Sequence, residues 1–190
     1  MVEPSHEGAK RPVSAAPAGP YGHPFHPLLV TVPIGAWVGS LVFDVASHLV
    51  RHPDFLARGA QWLIALGVVG ALAAALVGFL DLFAIPPGTR AFRVGLLHMA
   101  LNLLVTTAYA GNFLWRYANH GPQQGGVGGG MLALNAVSLV VLGVSGYLGG
   151  KLAYRYGVRV ADETTQAEGF VLTRRGPGRR DGGTADGRAG

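Results

Sequence analysis

The chain contains no cysteine and very little charge. Only 13% of its 190 residues are Asp, Glu, Lys or Arg, whereas 49% are hydrophobic. The absence of cysteine excludes disulfides, iron–sulfur ligation and zinc–thiolate sites within this chain, so a bound cofactor would depend on histidine, carboxylate or backbone groups. The glycines at 125–130 lack the spacing of a dinucleotide fingerprint, and no phosphate-loop or serine–histidine–acid pattern appears. We therefore expect no catalysis on a soluble segment.

Four long apolar stretches occupy the middle of the chain. The runs over 59–80, 94–115 and 127–150 carry no Asp, Glu, Lys or Arg, and the run over 28–50 is interrupted only by Asp44. A bilayer core about 30 Å thick needs about 20 helical residues, and every backbone polar group inside lipid must be paired within its segment. The sequence predicts an all-α integral membrane protein with helices at about 28–50, 59–83, 91–117 and 131–152. Pro33 should kink the first of them.

Short connections predict an antiparallel four-helix bundle over residues 23–160, with disordered segments at 1–22 and 161–190 because both are rich in small and polar residues. Of the 15 Lys and Arg residues, only Arg51, Arg58 and Arg116 fall on the side opposite the termini. The positive-inside rule then places both termini in the cytoplasm and the protein in the cytoplasmic (inner) membrane. Because the net charge of +5 lies at helix ends rather than on a soluble face, the expected partner is the lipid bilayer and not nucleic acid.

Polar residues recur at helical spacing along the third predicted helix. They are His98, Asn102, Thr106, Tyr109, Asn112 and Arg116. Such a seam either holds helices together through hydrogen bonds or lines a hydrated interior. A small oligomeric transporter or proton pathway and a purely structural role therefore both stay open. Asp44 and His48, one turn apart on the first helix, could share a proton, but we expect both to reach the outer surface beside Arg51.

Three histidines and one carboxylate are expected near the cytoplasmic rim, namely His23, His26, Asp81 and His98. Imidazole and carboxylate ligands suit a transition metal, and two histidines could be the axial ligands of a b-type haem. His98 could pair with His26 or His23 but not with His48, which lies about 30 Å from that rim when His98 lies about 10 Å from it. Alternatively, Asp81 forms an ion pair with Arg90 and Arg93 across a tight turn.

Residues 22–160 resemble an uncharacterised bacterial membrane family known as domain of unknown function 2231. The strings that carry the resemblance are His23-Pro24-Phe25-His26-Pro27, Val32-Pro33-Ile34-Gly35, Phe43-Asp44, Gly78-Phe79-Leu80-Asp81, His98 with Asn102, Gly146-Tyr147-Leu148-Gly149-Gly150, Tyr154 and Gly157-Val158-Arg159-Val160. The resemblance implies a four-span protein of the cytoplasmic membrane. Some members are joined to Rieske-type iron–sulfur domains, which suggests electron transfer. Since this chain has no cysteine, a redox role would need a partner protein. The leading expectation is an accessory or scaffold subunit of membrane redox proteins.

Overall fold

The computed structural model describes residues 7–119 and 126–170, and every regular element within them is helical. Four helices are long and apolar enough to cross a membrane, and we call them spans 1 to 4: His26–Ser47, Asp54–Phe83, Arg90–Ala118 and Gly129–Arg155. They pack against one another in the order in which they occur along the chain, and span 1 also packs against span 4. The expected all-α membrane bundle is confirmed.

The ends of the spans follow from local chemistry. Span 2 begins at Asp54 rather than near residue 59. The Asp54 carboxylate lies in the first turn, where its negative charge interacts favourably with the positive end of the helix dipole. Span 1 is interrupted at Val30, between a short helix that ends at Leu29 and a longer one that begins at Thr31. Because Pro33 has no N–H to donate to the carbonyl four residues earlier, the break lies where the sequence predicts a kink.

The bundle has two ends that differ in content. The terminal end holds the chain segments that lead into span 1 and out of span 4, together with the turn at 84–89. In that turn Gly88 has a positive φ of 82°, and the Thr89 hydroxyl accepts a hydrogen bond from Phe92 N–H to start span 3. The loop end holds residues 48–53 and the start of span 4. Every site described below belongs to one of these two ends.

Large apolar side chains point outward and polar ones point inward. Exposed apolar residues include Leu49, Trp62, Leu76 and Val140. Fully buried polar residues include Ser40, Asp44, Asn112, Asn135 and Ser145. This distribution suits a lipid environment, because lipid solvates apolar side chains as well as a protein core does, whereas polar groups must find partners inside the bundle.

A small apolar core lies between the spans near the middle of the bundle. It consists of Trp37, Ile64, Val105 and Tyr109, one from each of the first two spans and two from the third. The Trp37 and Tyr109 rings stack with centroids 4.2 Å apart and planes 8° apart. Gly67 makes room for the indole, since a Cβ there would lie 2.2 Å from Trp37 Nε1. The bare glycine backbone therefore sets how closely spans 1 and 2 approach.

Residues 7–22 and 156–162 form a terminal cap over the terminal end. Arg159 ties the two segments together: its backbone N–H donates to Ala9 O, and its Nη2 donates to Ala18 O and Gly19 O, all at 2.9 Å. Residues 7–22 thus have a defined arrangement, including a helix at Ala15–Ala18, in contrast to the disorder expected over 1–22. Composition could not reveal this, because Ala18 and Arg159 lie 141 residues apart.

A second pair of contacts closes the cap. The Tyr21 hydroxyl donates to Asp162 Oδ2 at 2.9 Å and accepts from Asp162 N–H at 2.8 Å. Hydrogen bonds from Thr165 N–H and then from Tyr21 lower the pKa of the Asp162 carboxyl below its ordinary value. Beyond the cap, Glu163–Ala167 is a short helix. The remaining parts of the expected disordered segments, 1–6 and 171–190, lie outside the described residues.

Candidate functional site

Two histidines from different spans meet near the terminal end. His26 begins span 1 and His98 lies two turns into span 3. Their ring centroids are 6.3 Å apart and the ring planes are inclined at 83°. Both side chains are partly buried between the helices. Of the four residues expected to form a site, these two are brought together.

The His26 ring is fixed by span 2. Its Nδ1 lies 2.9 Å from Ala74 O. Because a carbonyl oxygen can only accept, Nδ1 carries the hydrogen and Nε2 keeps a lone pair. Gly78, one turn further along span 2, lies against the same ring, and a Cβ there would be 2.8 Å from His26 Nδ1. The ring can occupy this place only because residue 78 has no side chain.

The His98 ring is fixed in the same manner by span 4. Its Nδ1 lies 2.8 Å from Ser145 O, so this nitrogen also carries the hydrogen. Gly149 faces the ring, and a Cβ there would lie 3.0 Å from His98 Cε1. The two histidines therefore share one local design, in which a main-chain carbonyl holds Nδ1 and a glycine makes room for the ring.

Asn102 completes the support of His98. Its Nδ2 lies 2.8 Å from His98 O, 2.9 Å from Ser145 Oγ and 3.2 Å from His98 Nε2. A side-chain amide has two hydrogens, and the two nearer oxygens take them. Asn102 Nδ2 is therefore at most a weak donor to the lone pair of His98 Nε2, at 3.2 Å, and none of the described residues donates a hydrogen bond to His26 Nε2.

His23 and Asp81, the other two expected members, do not join the pair. The His23 side chain is exposed, and Asp81 Oδ1 lies 2.8 Å from Arg159 Nε. Across residues 7–119 and 126–170 no group of three His, Cys, Asp or Glu side chains is close enough to hold a metal ion. Of the four residues expected to cluster, only His26 and His98 therefore lie together.

The ion pair expected between Asp81 and Arg90 or Arg93 is wrong. Both arginines are exposed at the start of span 3. Arg159 pairs with Asp81 instead, and its backbone has a positive φ of 61° that turns the chain back over the bundle. The contact lacks hydrogen-bond geometry, and Arg159 Nη1 has no hydrogen-bond partner among the described residues. It is therefore an electrostatic contact beneath the terminal cap.

A buried ion pair occupies the loop end. Arg116 Nη1 and Nη2 donate to Asp44 Oδ1 and Oδ2 at 2.8 and 2.7 Å, and Asn135 Nδ2 donates to Oδ2 at 2.7 Å. The expectation that Asp44 reaches the outer surface is wrong, because its side chain is fully buried by these partners. His48 does reach the surface as expected. The carboxylate is thus paired with Arg116 rather than with His48.

The rest of the polar seam forms hydrogen bonds, most of them to span 4. The Tyr109 hydroxyl donates to Asn135 Oδ1 at 2.8 Å, and Asn112 Nδ2 donates to Met131 O at 3.1 Å. Thr106 bonds within its own span, to Asn102 O at 2.8 Å. These bonds support the interpretation of the seam as the connection between spans 3 and 4.

Sequence reasoning identified the polar residues but did not predict which of them form pairs. Asp44 lies three residues before the end of span 1 and Arg116 two residues before the end of span 3. Their similar depth from the loop end, which differs by about 1.5 Å for one helical residue, was a signal for the pair. No comparable signal announced Arg159, since its contact with Asp81 depends on a turn after span 4.

Comparison with known proteins gives one family match. A sequence model described as a predicted membrane protein, DUF2231, matches residues 22–162. This match confirms the resemblance that the sequence strings suggested. No curated protein and no solved structure matches the chain.

Proposed function

The chain belongs to the DUF2231 family of predicted membrane proteins, and from that premise we propose that it is a membrane-embedded redox subunit in which His26 and His98 hold a b-type haem. The observation that carries the proposal is the meeting of two imidazoles from spans 1 and 3, with ring centroids 6.3 Å apart and ring planes inclined at 83°. It develops the accessory redox role expected from the sequence into a specific pair of ligands.

The ring spacing suits two axial ligands of one iron. A bond from a metal to an imidazole nitrogen is about 2 Å long, and the ring centre lies about 1 Å beyond that nitrogen. Two such ligands on opposite sides of one metal are therefore separated by about 6 Å between ring centres. The separation of 6.3 Å between the ring centroids of His26 and His98 is close to that value.

The hydrogen-bond pattern also suits ligation through Nε2. A histidine that binds a metal usually donates its other ring N–H to a carboxylate, a backbone carbonyl or water, which fixes the tautomer and the ring orientation. His26 and His98 donate from Nδ1 to Ala74 O and Ser145 O in this manner. Both Nε2 atoms keep the lone pair that a ligand needs.

A haem suits the pair better than a bare metal ion. Structural zinc sites take four protein ligands and catalytic ones take three, and the part of the chain that the structure describes holds no such group. A haem already supplies four nitrogens to its iron, so the protein adds only axial ligands. Two histidines are then a complete set.

His26 and His98 would hold the haem, which would supply one-electron transfer within the membrane. The chain's own residues hold the ligand rings, through Ala74 O and Ser145 O, and keep the pair within the bundle. Because the chain has no cysteine for an iron–sulfur cluster, a separate redox protein has to exchange the electron. The terminal end, where the pair lies, is the side from which we expect that partner to approach.

Difference spectroscopy tests the proposal. The protein, produced with a haem supply and purified in mild detergent, should show a Soret shift and sharp visible bands between its oxidised and dithionite-reduced forms. His26→Ala and His98→Ala should each abolish or broaden these bands. His48→Ala, which changes an exposed histidine at the loop end, is the matched control and should leave them unchanged.

Two further measurements separate the outcomes. Far-ultraviolet circular dichroism checks that each variant keeps its helices, so a lost spectrum is not a lost fold. His23→Ala tests the alternative ligand, and we expect its spectrum to match that of the wild type. Bands that survive both His26→Ala and His98→Ala would rule out this pair as the ligands, and a flat wild-type spectrum would rule out the haem.

A further inference from the structure

A shallow groove lies on the outer face of span 4 at the terminal end. Its volume is about 380 Å³. It is lined by Tyr147, Gly150, Lys151, Tyr154 and Arg155. These residues recur at three, one, three and one positions, so they follow one side of the helix. The groove is open to the lipid side of the bundle and is separate from the histidine pair.

The groove contains two cations without a carboxylate partner. Among the described residues, neither Lys151 nor Arg155 forms an ion pair, and the Lys151 ammonium lies over the Tyr156 ring, 5.8 Å from its centroid. Two other basic residues at this end are engaged, Lys10 by Glu163 and Arg159 by Asp81, whereas Arg90 and Arg93 are exposed at the start of span 3 and do not line the groove. The two charges of the groove are therefore free to bind an anion.

The groove changes from apolar to charged along its length. Val144 and Tyr147 are exposed on the side toward the bilayer core, with 53% and 73% of their surfaces accessible. Tyr154, at 93%, stands beside the cations at the membrane boundary, where tyrosine is enriched in membrane proteins. Such a gradient matches a phospholipid, which has acyl chains at one end and a phosphate at the other.

Two backbone features shape the groove. Gly150 lines the groove without a side chain and so leaves a notch beside Tyr154, whose ring would lie in ordinary contact with a Cβ there, at 3.9 Å. The next turn, Lys151–Arg155, is a π-helix in which Tyr156 N–H donates to Lys151 O. π-Helical turns cost regular hydrogen bonding and occur frequently at functional sites. The widened turn coincides with the two cations.

We infer that this groove binds an anionic phospholipid of the surrounding bilayer. Its phosphate oxygens accept hydrogen bonds from Lys151 and Arg155, and an acyl chain lies over Gly150 against Tyr147. Clusters of basic residues at the end of a membrane helix attract anionic lipid head groups. The notch adds a shape requirement, so the site should select by fit as well as by charge.

Native mass spectrometry of the full chain in mild detergent tests the inference, with phosphatidylglycerol or phosphatidylcholine added back. We expect retained phosphatidylglycerol on the wild type and no retained phosphatidylcholine. Lys151→Gln with Arg155→Gln should weaken phosphatidylglycerol binding by about tenfold or more. Arg51→Gln with Arg58→Gln removes two exposed arginines from the opposite part of the chain, and this control should retain the lipid.

A shape variant separates a site from general attraction of charge. Gly150→Leu keeps both cations but fills the notch, and we expect it to lose phosphatidylglycerol about as strongly as the charge variant. Equal losses from the groove and control pairs, or unchanged binding in Gly150→Leu, would overturn the inference. A groove that instead joins two copies of the chain would give a dimer that Gly150→Leu converts to monomer without a change in bound lipid, and that result would also overturn it.

Discussion

At the scale of single residues, the charged side chains of Asp44 and Arg116 carry a large desolvation cost on burial in the bundle. Both are buried at the loop end and bound in bidentate fashion, with Asn135 and Asn112 on their remaining atoms. A buried pair of this kind contributes little net stability over apolar residues, but removal of one partner leaves an unpaired charge that costs about 3 to 5 kcal/mol. The pair therefore fixes how spans 1, 3 and 4 dock rather than how strongly they associate.

The pair predicts a strongly non-additive pattern of variants. Asp44→Asn and Arg116→Gln should each lower the free energy of unfolding by about 3 kcal/mol or more, because each leaves one buried charge without its counterion. The double variant should lose less than the sum of the two, because no unpaired charge remains. Titration with dodecyl sulfate in mixed micelles measures all three. Additive losses would show that Asp44 and Arg116 act independently.

The same scale shows what sequence could predict about the candidate site. His98 stood out because ionisable side chains are rare in apolar helices, and His26 because it directly precedes the first predicted helix at the same rim of the bundle. His23, equally visible in the sequence, is exposed. The difference arises from Ala74 O, Ser145 O, Gly78 and Gly149, which lie on other spans. Such contacts depend on helix rotation, which a single sequence with no pairing information does not specify.

At the scale of elements, the helices follow the apolar runs closely, while their mutual approach depends on a few small residues. Gly67 of span 2 lies against the Trp37 indole of span 1, and that indole donates from Nε1 to Ile64 O at 3.3 Å. Small residues allow such close helix contacts in membranes. The glycine at 67 is visible in the sequence, but nothing in the sequence indicates that a tryptophan of another span fills the space beside it.

Gly67→Ala should separate spans 1 and 2. The added Cβ would lie 2.2 Å from Trp37 Nε1, and overpacking of this kind costs about 1 to 3 kcal/mol. Gly143→Ala is the matched control, because a Cβ at Gly143 has nothing within 4 Å and alanine favours the helix. Thermal unfolding followed by circular dichroism should show a lower midpoint for Gly67→Ala only. Equal midpoints for both variants would contradict the close contact.

At the scale of the whole molecule, the two chain ends close over the terminal end of the bundle. Arg159 connects the N-terminal segment, through Ala18 O and Gly19 O, to Asp81 of span 2. The carbonyl of Ala18 also accepts from Phe25 N–H, next to the candidate ligand His26. The cap thus adjoins the histidine pair. No composition rule could have predicted it, because its contacts join residues at opposite ends of the chain.

Arg159→Ala should release the cap without unfolding the spans. Loss of the guanidinium removes its bonds to Ala18 O and Gly19 O and its contact with Asp81, so a protease should cleave residues 7–22 several-fold faster. Arg93→Ala, which removes an exposed arginine at the same end, is the control. Limited proteolysis followed by intact-mass analysis gives both rates. Equal rates in the two variants would refute the role of Arg159.

The most direct test of the account is the haem content per chain of the purified protein, measured by the pyridine haemochrome method. With His26 and His98 as the ligands, the wild type and His48→Ala should bind one haem per chain, whereas His26→Ala and His98→Ala should bind almost none while keeping their helical content. A wild type without haem, or a His98→Ala variant that keeps its full complement, would contradict the proposal that this pair of histidines is a haem site.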